Sequence, residues 1–540
     1  MRLHLPRLLA AAVLAPLVAV PAYTAEIPDE YKDNTVSVWD ADYLADYASN
    51  ASTDYIAFLL GMDIEVPSDI SLDGGNLYFT SRNAQLPVSL DFTGSDSSAL
   101  TNQSSLVFDT LSGLSFASYK DRAIYTSGNL VIQNVNDGVE DSENPDVLFT
   151  GNSVSSYSSP RGGAIYADDV SISGNGDVTF TGNTATASTS CGGGAIFAEG
   201  DVSIIGNGDV IFSRNTSSSA TDDGFRSHGG AIYSSGDVSI NGNGDVTYTR
   251  NSAYSYYDSS ALGGAIYSSG DVSINGNRDV TFTGNSASSY EDAFLASGGA
   301  IYAPGSVVSI SANGGVTFTG NSASGLDYSG ARGGAIYSSS ISISGNGDVT
   351  FMGNSASAYD AVGGAIHSDS SVSITGNGDV FFTGNSSSSS SSSSRGGAIC
   401  ASNVSITGNG DVSFSGNTAS SSSSYAYGGA IFAGSGGVSI TGNETVCFEK
   451  NYESANSTYR LRSIYTTGDL NLSAKTGGHI TFHDSVYGGT TALNADYTDA
   501  DGITQQSKGT VIFSGQYTKD HLDAILEANN EGRVATDTES

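Results

Sequence analysis

An internal repeat governs what this chain can become. Gly-Gly-Ala-Ile begins at Gly162, Gly193, Gly229, Gly263, Gly298, Gly333, Gly363, Gly396 and Gly428. An aromatic-x-x-Asn tetrapeptide begins at Phe149, Phe180, Phe212, Tyr248, Phe282, Phe318, Phe351, Phe382, Phe414 and Phe448. From each Gly-Gly to the next aromatic the step is 18 to 20 residues, and from that aromatic to the following Gly-Gly it is 12 to 17. A segment of nearly constant length is a packed unit, whereas one that drifts in length is a surface loop that tolerates insertion.

The constant segment reads as three short strands. In the copy at Gly263 they are Ala265-Ile266-Tyr267, Val272-Ser273-Ile274 and Val280-Thr281-Phe282. Apolar and polar residues alternate with period two, and turn sequences rich in Gly, Asn and Asp separate the runs. One such turn of chain cannot bury its Ile, Val and Phe alone. Stacking successive copies sets each apolar residue above its equivalent and closes a continuous core. The expected fold is all-β, a right-handed parallel β-helix of three-strand rungs about 4.8 Å apart. Arg122-Ala123-Ile124-Tyr125 and Arg462-Ser463-Ile464-Tyr465 keep the strand but lose the glycines, as terminal rungs do.

Residues 105–518 are assigned to the β-helix, 26–104 to an N-terminal cap and first rungs, and 519–540 to a tail. YLADYASNASTDYIAFLLG, following Trp39, is a candidate helical plug, and KDHLDAILEANN (Lys519 to Asn530) a candidate amphipathic helix. At the start, Arg2 and Arg7 precede an apolar run from Leu8 to Val20 and then small residues, the pattern of a secretory signal peptide over residues 1–25. The run is too short to span a bilayer.

The balance of 20 basic against 56 acidic residues gives a net charge of −36, which argues against nucleic acid and anionic membrane surfaces as partners. Three cysteines imply no disulfide framework, and no metal-ligand spacing or cofactor motif is present.

Nine copies of Gly-Gly-Ala-Ile interleaved with ten of aromatic-x-x-Asn resemble the passenger domains of the polymorphic membrane proteins, the autotransporter adhesins best known from chlamydiae. SLVFDTLSGLSF (Ser105 to Phe116) is similar to the family's early rungs, and Gly468 to Gly489 and Gly509 to Thr518 to its closing ones. The resemblance implies a surface-exposed passenger used in adhesion. It also implies a C-terminal outer-membrane barrel, but the residues after Thr518 are too few for one, so a separate outer-membrane translocator is a possible partner.

Three residue sets compete as functional sites. The Asn of each tetrapeptide (Asn152, Asn183, Asn215, Asn251, Asn285, Asn321, Asn354, Asn385, Asn417 and Asn451) is either a receptor contact or an amide ladder at a corner. Asn183, Asn251, Asn285 and Asn321 are kept as binding candidates. The aspartates of the Gly-Asn-x-Asp turns (Asp177, Asp209, Asp245, Asp279, Asp348, Asp379 and Asp411) are either solvated turn residues or calcium ligands. Tyr254, Tyr256, Tyr257, Tyr290 and Tyr328 stand in Ser/Tyr-rich loops whose vocabulary matches antibody paratopes, or else belong to plain solubilising loops. The poly-Ser stretch from Ser386 reads as the latter, and His228 and His367 as exposed positions.

Three functions remain in play: a secreted or cell-surface adhesin that meets a protein or glycan on a host or neighbouring cell, a β-helical polysaccharide-degrading enzyme, or a structural surface-layer component. An enzyme would need acids converging with Arg or Lys on one rung that breaks consensus. The departures here (His228, Arg278, Arg332, Arg395) are scattered, so no catalytic residue and no cofactor is assigned.

Overall fold

The computed structural model describes residues 98–136, 146–219, 226–290, 295–493 and 509–514 apart from 103, 157–159, 257–258, 327–328 and 490, together with shorter pieces between 28 and 94 and at 496–498, 504–505 and 534–537. The signal segment, Trp39 and Lys519 to Asn530 lie outside the described residues.

Each fixed segment forms the expected three strand runs, the first two being continuous in the five copies from Gly298 to Gly428, as in Ile301–Ser311. After Gly263 they are Ile266–Ser268, Val272–Asn275 and Asp279–Thr283. Every one pairs in parallel with the same strand of the next copy, placing Ile266 opposite Ile301, Val272 opposite Val308 and Phe282 opposite Phe318. The period-two pattern decides the faces: Val272 and Ile274 are fully buried while Ser273 and Asn275 point outward. The Val-x-aromatic strands alone stack into a parallel sheet of sixteen, from Ile64–Val66 to Val534–Asp537. Among the described residues there is no helix.

The drifting segment is more ordered than its composition suggests. Ser286–Ser289 and Leu295–Ser297 form two further strands that complete the turn, in register with Ser322–Gly325 and Gly330–Arg332. Alternating Ala and Ser supply the inward face, and Ala323, Ala331, Ala356, Ala358 and Ala361 make a second, smaller core. Variation in length is confined to the link between these two strands. It runs from residues 220–225 between Ser219 and Arg226 down to Tyr359 alone between Ala358 and Asp360. Even poly-Ser contributes a strand, Ser386–Ser389, whose buried Ser387 and Ser394 hydroxyls bond each other at 2.6 Å.

Towards the N-terminus, Tyr55–Leu60 is a strand paired in register with Asn76–Ser81, not the helix its apolar run allowed. A short apolar run is ambiguous in isolation, and here a neighbouring strand supplies its backbone partners. At the other end the last full turn closes differently. Tyr452–Ala455 turns back antiparallel against Thr458–Thr466, so a hairpin replaces the outer strand.

One apolar cluster runs the length of the rod from Phe58 to Phe513. Its spine is a stack of fourteen rings, Phe92 to Phe513, with neighbouring centroids 4.4–5.4 Å apart. Tyr248 takes a Phe position in it, and its fully buried hydroxyl has no hydrogen-bond partner. A buried unsatisfied hydroxyl costs about 1–3 kcal/mol. Tyr248→Phe is therefore expected to raise stability by about 1 kcal/mol or more, read as a higher urea midpoint.

Candidate functional site

The two tetrapeptides meet at one corner of the rod. Gly263 adopts φ +69°, and a Cβ on Gly264 would lie 2.0 Å from the carbonyl oxygen of Gly299 on the next turn, so only glycine fits there. Close approach at this corner brings the Asn of each tetrapeptide over its successor. Asn251 donates from Nδ2 to Oδ1 of Asn285 at 3.0 Å and to the Phe212 carbonyl at 2.9 Å, and its backbone N–H donates to the same Oδ1. Side-chain links of 2.9–3.0 Å run unbroken from Asn152 to Asn451, and the chain ends on the buried carboxylate of Asp484.

All ten asparagines have zero exposure. Asn183, Asn251, Asn285 and Asn321 therefore cannot touch a partner while the rod is folded; the ladder reading replaces the contact reading. A second ladder, unnoticed in the sequence, links Asn175, Asn207, Asn243, Asn277, Asn313, Asn346, Asn377, Asn409 and Asn443 at 2.8–2.9 Å. The signal was present: an Asn stands at the same place in every Gly-Asn-x-Asp turn and its relatives.

The aspartates of those turns act on backbone. Asp177 Oδ1 accepts the N–H of Asp209 at 2.8 Å, Asp209 that of Asp245, Asp279 that of Gly315, Asp348 that of Asp379, and Asp379 that of Asp411. Asp411 accepts the Thr445 hydroxyl at 2.6 Å. Arg278, standing where other copies have Gly, donates to Asp245 at 2.6 Å and reaches Asp209 at 3.1 Å; this hydrogen bond and charge hold the Asp245 carboxyl below its usual range. Among the described residues no three acidic, His or Cys groups converge.

Four large apolar side chains line up where the variable links begin. Tyr256, Tyr290, Leu326 and Tyr359 each directly follow the fourth strand of successive turns, whose last residues Ser255, Ser289 and Gly325 stand in register. Tyr290, Leu326 and Tyr359 are 42, 47 and 36% exposed, and Tyr256 stacks on Tyr290 at 5.5 Å. Tyr254 is half-buried on the strand beneath, with its ring 6.3 Å from that of Tyr256. Tyr257 and Tyr328 lie outside the described residues. Leu326 and Tyr359 were not singled out from sequence because their loops differ in length, and only register aligns them.

A second aromatic column, half-buried, runs outside the core. Tyr125, Tyr166, Phe197, Tyr233, Tyr267, Tyr302, Tyr337 and His367 stack with centroids 4.3–5.6 Å apart. His228 and His367 are thus packed against rings rather than displayed on loops. Burial, with the Arg226 charge adding to it, pushes the His228 imidazole down to about 4, and burial lowers His367 as well. Cys191, Cys400 and Cys447 are free thiols.

This geometry defines a repeat-built parallel β-solenoid with a rigid interior and one edge of variable links. Seven of its turns, residues 146–168, 177–199, 209–235, 279–304, 315–339, 379–402 and 411–434, match the Chlamydia polymorphic membrane protein repeat, so the chain carries at least seven repeats of that type. Comparison with curated proteins and with solved structures gave no match.

Two outcomes follow. Asn285→Ala strands the Asn251 donors and the Tyr248 carbonyl, so it should cost roughly 2 kcal/mol or more by chemical denaturation; a pure contact residue would leave the midpoint unchanged. The unfolded chain binds a proton at His228 near pH 6.5 and the folded chain only near 4. Stability present above pH 6.5 is therefore lost as pH falls from 6.5 to 4, on the order of 1–2 kcal/mol with the partly solvated ring edge discounted. His228→Leu, copying Leu262 of the next turn, should flatten the melting temperature between pH 7 and 4.5.

Proposed function

We propose that this chain is a surface-displayed passenger of the autotransporter type and that it acts as an adhesin for a protein or glycan on a host or neighbouring cell. One observation carries the reading: exposed Tyr290, Leu326 and Tyr359, with half-buried Tyr256 stacked on Tyr290, stand in line over four consecutive turns. At strand spacing they span about 14 Å. Contiguous exposed apolar side chains on a soluble rod mark a contact surface, and rings held on a stacked sheet lose little conformational freedom on binding. The links that vary in length begin at this column, so a partner's fit is adjustable without disturbing the core. The family match supports surface display, because polymorphic membrane proteins are outer-membrane proteins.

Beads coated with the full chain should adhere to cultured epithelial cells. Replacing all four column residues with Ser should lower adhesion at least tenfold while the circular dichroism spectrum and melting temperature hold. Adhesion equal to the parent chain would overturn the reading.

A further inference from the structure

The basic residues are not spread over this acidic rod. Ten arginines are described, and seven lie along one corner: Arg161, Arg332 and Arg395 immediately before Gly-Gly, Arg122 and Arg462 in the place of the second Gly, Arg226 two residues before His228 and Arg460 two residues before Arg462. Register confirms the column, since His228, Leu262, Ser297, Arg332, Val362, Arg395 and Tyr427 follow one another on successive turns. Residues two apart on a strand share a face, so Arg226 and Arg460 join the same side. Some of this charge is used locally. Arg161 pairs with Glu199, and Arg462 with Glu453 at 3.0 Å. Among the described residues Arg226, Arg332, Arg395 and Arg460 make no ion pair.

At the closing hairpin the arginines converge with rings. A cleft there is lined by Tyr425, Tyr427, Glu453, Arg460 and Arg462. Tyr425 and Tyr459 are the most exposed aromatics described, at 67 and 71%. Arg395 lies 5.5 Å over the Phe432 ring, and Tyr427 sits 4.7 Å from Tyr465. Glu453 also accepts the Gly428 N–H at 2.7 Å, so it holds Arg462 in the wall of the cleft and leaves Arg460 facing outward.

We propose that this cleft is a binding site for an anionic sugar, separate from the tyrosine column. Guanidinium groups recognise carboxylate and sulfate-like oxyanions through paired N–H donors. Exposed tyrosine rings offer flat apolar faces to the C–H face of a pyranose, with a hydroxyl for its polar rim. The ligand carries few charges: duplex nucleic acid presents one every 1.7 Å, and a chain of net charge −36 repels so dense a polyanion beyond a local cluster. The acid on the sugar is a carboxylate or a sulfate, and both use the same donors.

Calorimetric titration of the full chain tests this with a sialylated trisaccharide, a sulfated tetrasaccharide, neutral lactose and an Asp/Glu pentapeptide. One or both anionic sugars should bind, weakening as salt rises, and lactose should not; which one binds identifies carboxylate or sulfate. The double variant Arg460→Gln, Tyr425→Ser changes two exposed side chains and should lose at least tenfold in affinity. Arg278→Gln, on another face, should lose none, and the four-fold Ser variant of the tyrosine column should bind sugar normally, so failure of either site is read separately. No binding of either anionic sugar, undiminished affinity in the double variant, or binding of the peptide alone would overturn the proposal; the last would make the cleft a docking site for acidic protein segments.

Discussion

Parallel register between successive copies is the constraint on which everything else in this rod depends. Because Ile266 stands opposite Ile301 and Phe282 opposite Phe318, a residue's neighbours are mostly copies of itself. Stacking then multiplies whatever chemistry the position holds. Phenyl rings stack face to face at strand spacing and fill the core without voids. Amides donate to the next amide and accept from the previous one, so a side chain that would be costly to bury becomes a link in a chain. Carboxylates gain least from stacking, because like charges repel at this distance. They are accordingly placed on the outer turns, where Asp177, Asp209, Asp279, Asp348 and Asp379 accept a backbone N–H from the adjoining copy, with Arg278 donating to Asp209 and Asp245.

The same rule shapes the ends. A ladder of identical amides leaves an unpaired group at its last member, and Asp484 accepts what Asn451 would otherwise leave unsatisfied: two N–H donors of Asn451, a further one of Lys450, and the Ser463 hydroxyl. Beside it the hairpin of Tyr452–Ala455 and Thr458–Thr466 closes the outer wall. The exposed Tyr425 and Tyr459 and the outward-facing Arg460 occur where the repeat stops repeating, and side chains there are released from the demand to match a copy above and below.

A rod of this kind separates stability from recognition. The core, the two asparagine ladders and the glycine corner tolerate little change, since each alteration is felt by two neighbouring turns. The links between the fourth and fifth strands vary in length, from residues 220–225 to Tyr359 alone. Sequence can therefore diversify at that edge while the scaffold is unchanged.

Much of this was written in the order of residues. The constant 18-to-20-residue step, the alternation in VSI and VTF and the positive-φ glycines identify three strands, their inward faces and a stacked solenoid, because those signals are local and recur. Tertiary structure alone decided the rest. The Ala/Ser segments became strands because partners 30 or more residues away accept and donate their backbone hydrogen bonds, something weak hydrophobicity does not announce. It also chose between the two meanings of the tetrapeptide Asn, since burial depends on what the neighbouring turn places over it. The tyrosine column and the arginine corner exist only in three dimensions, as loops of unequal length scatter their members along the chain while register brings them into line.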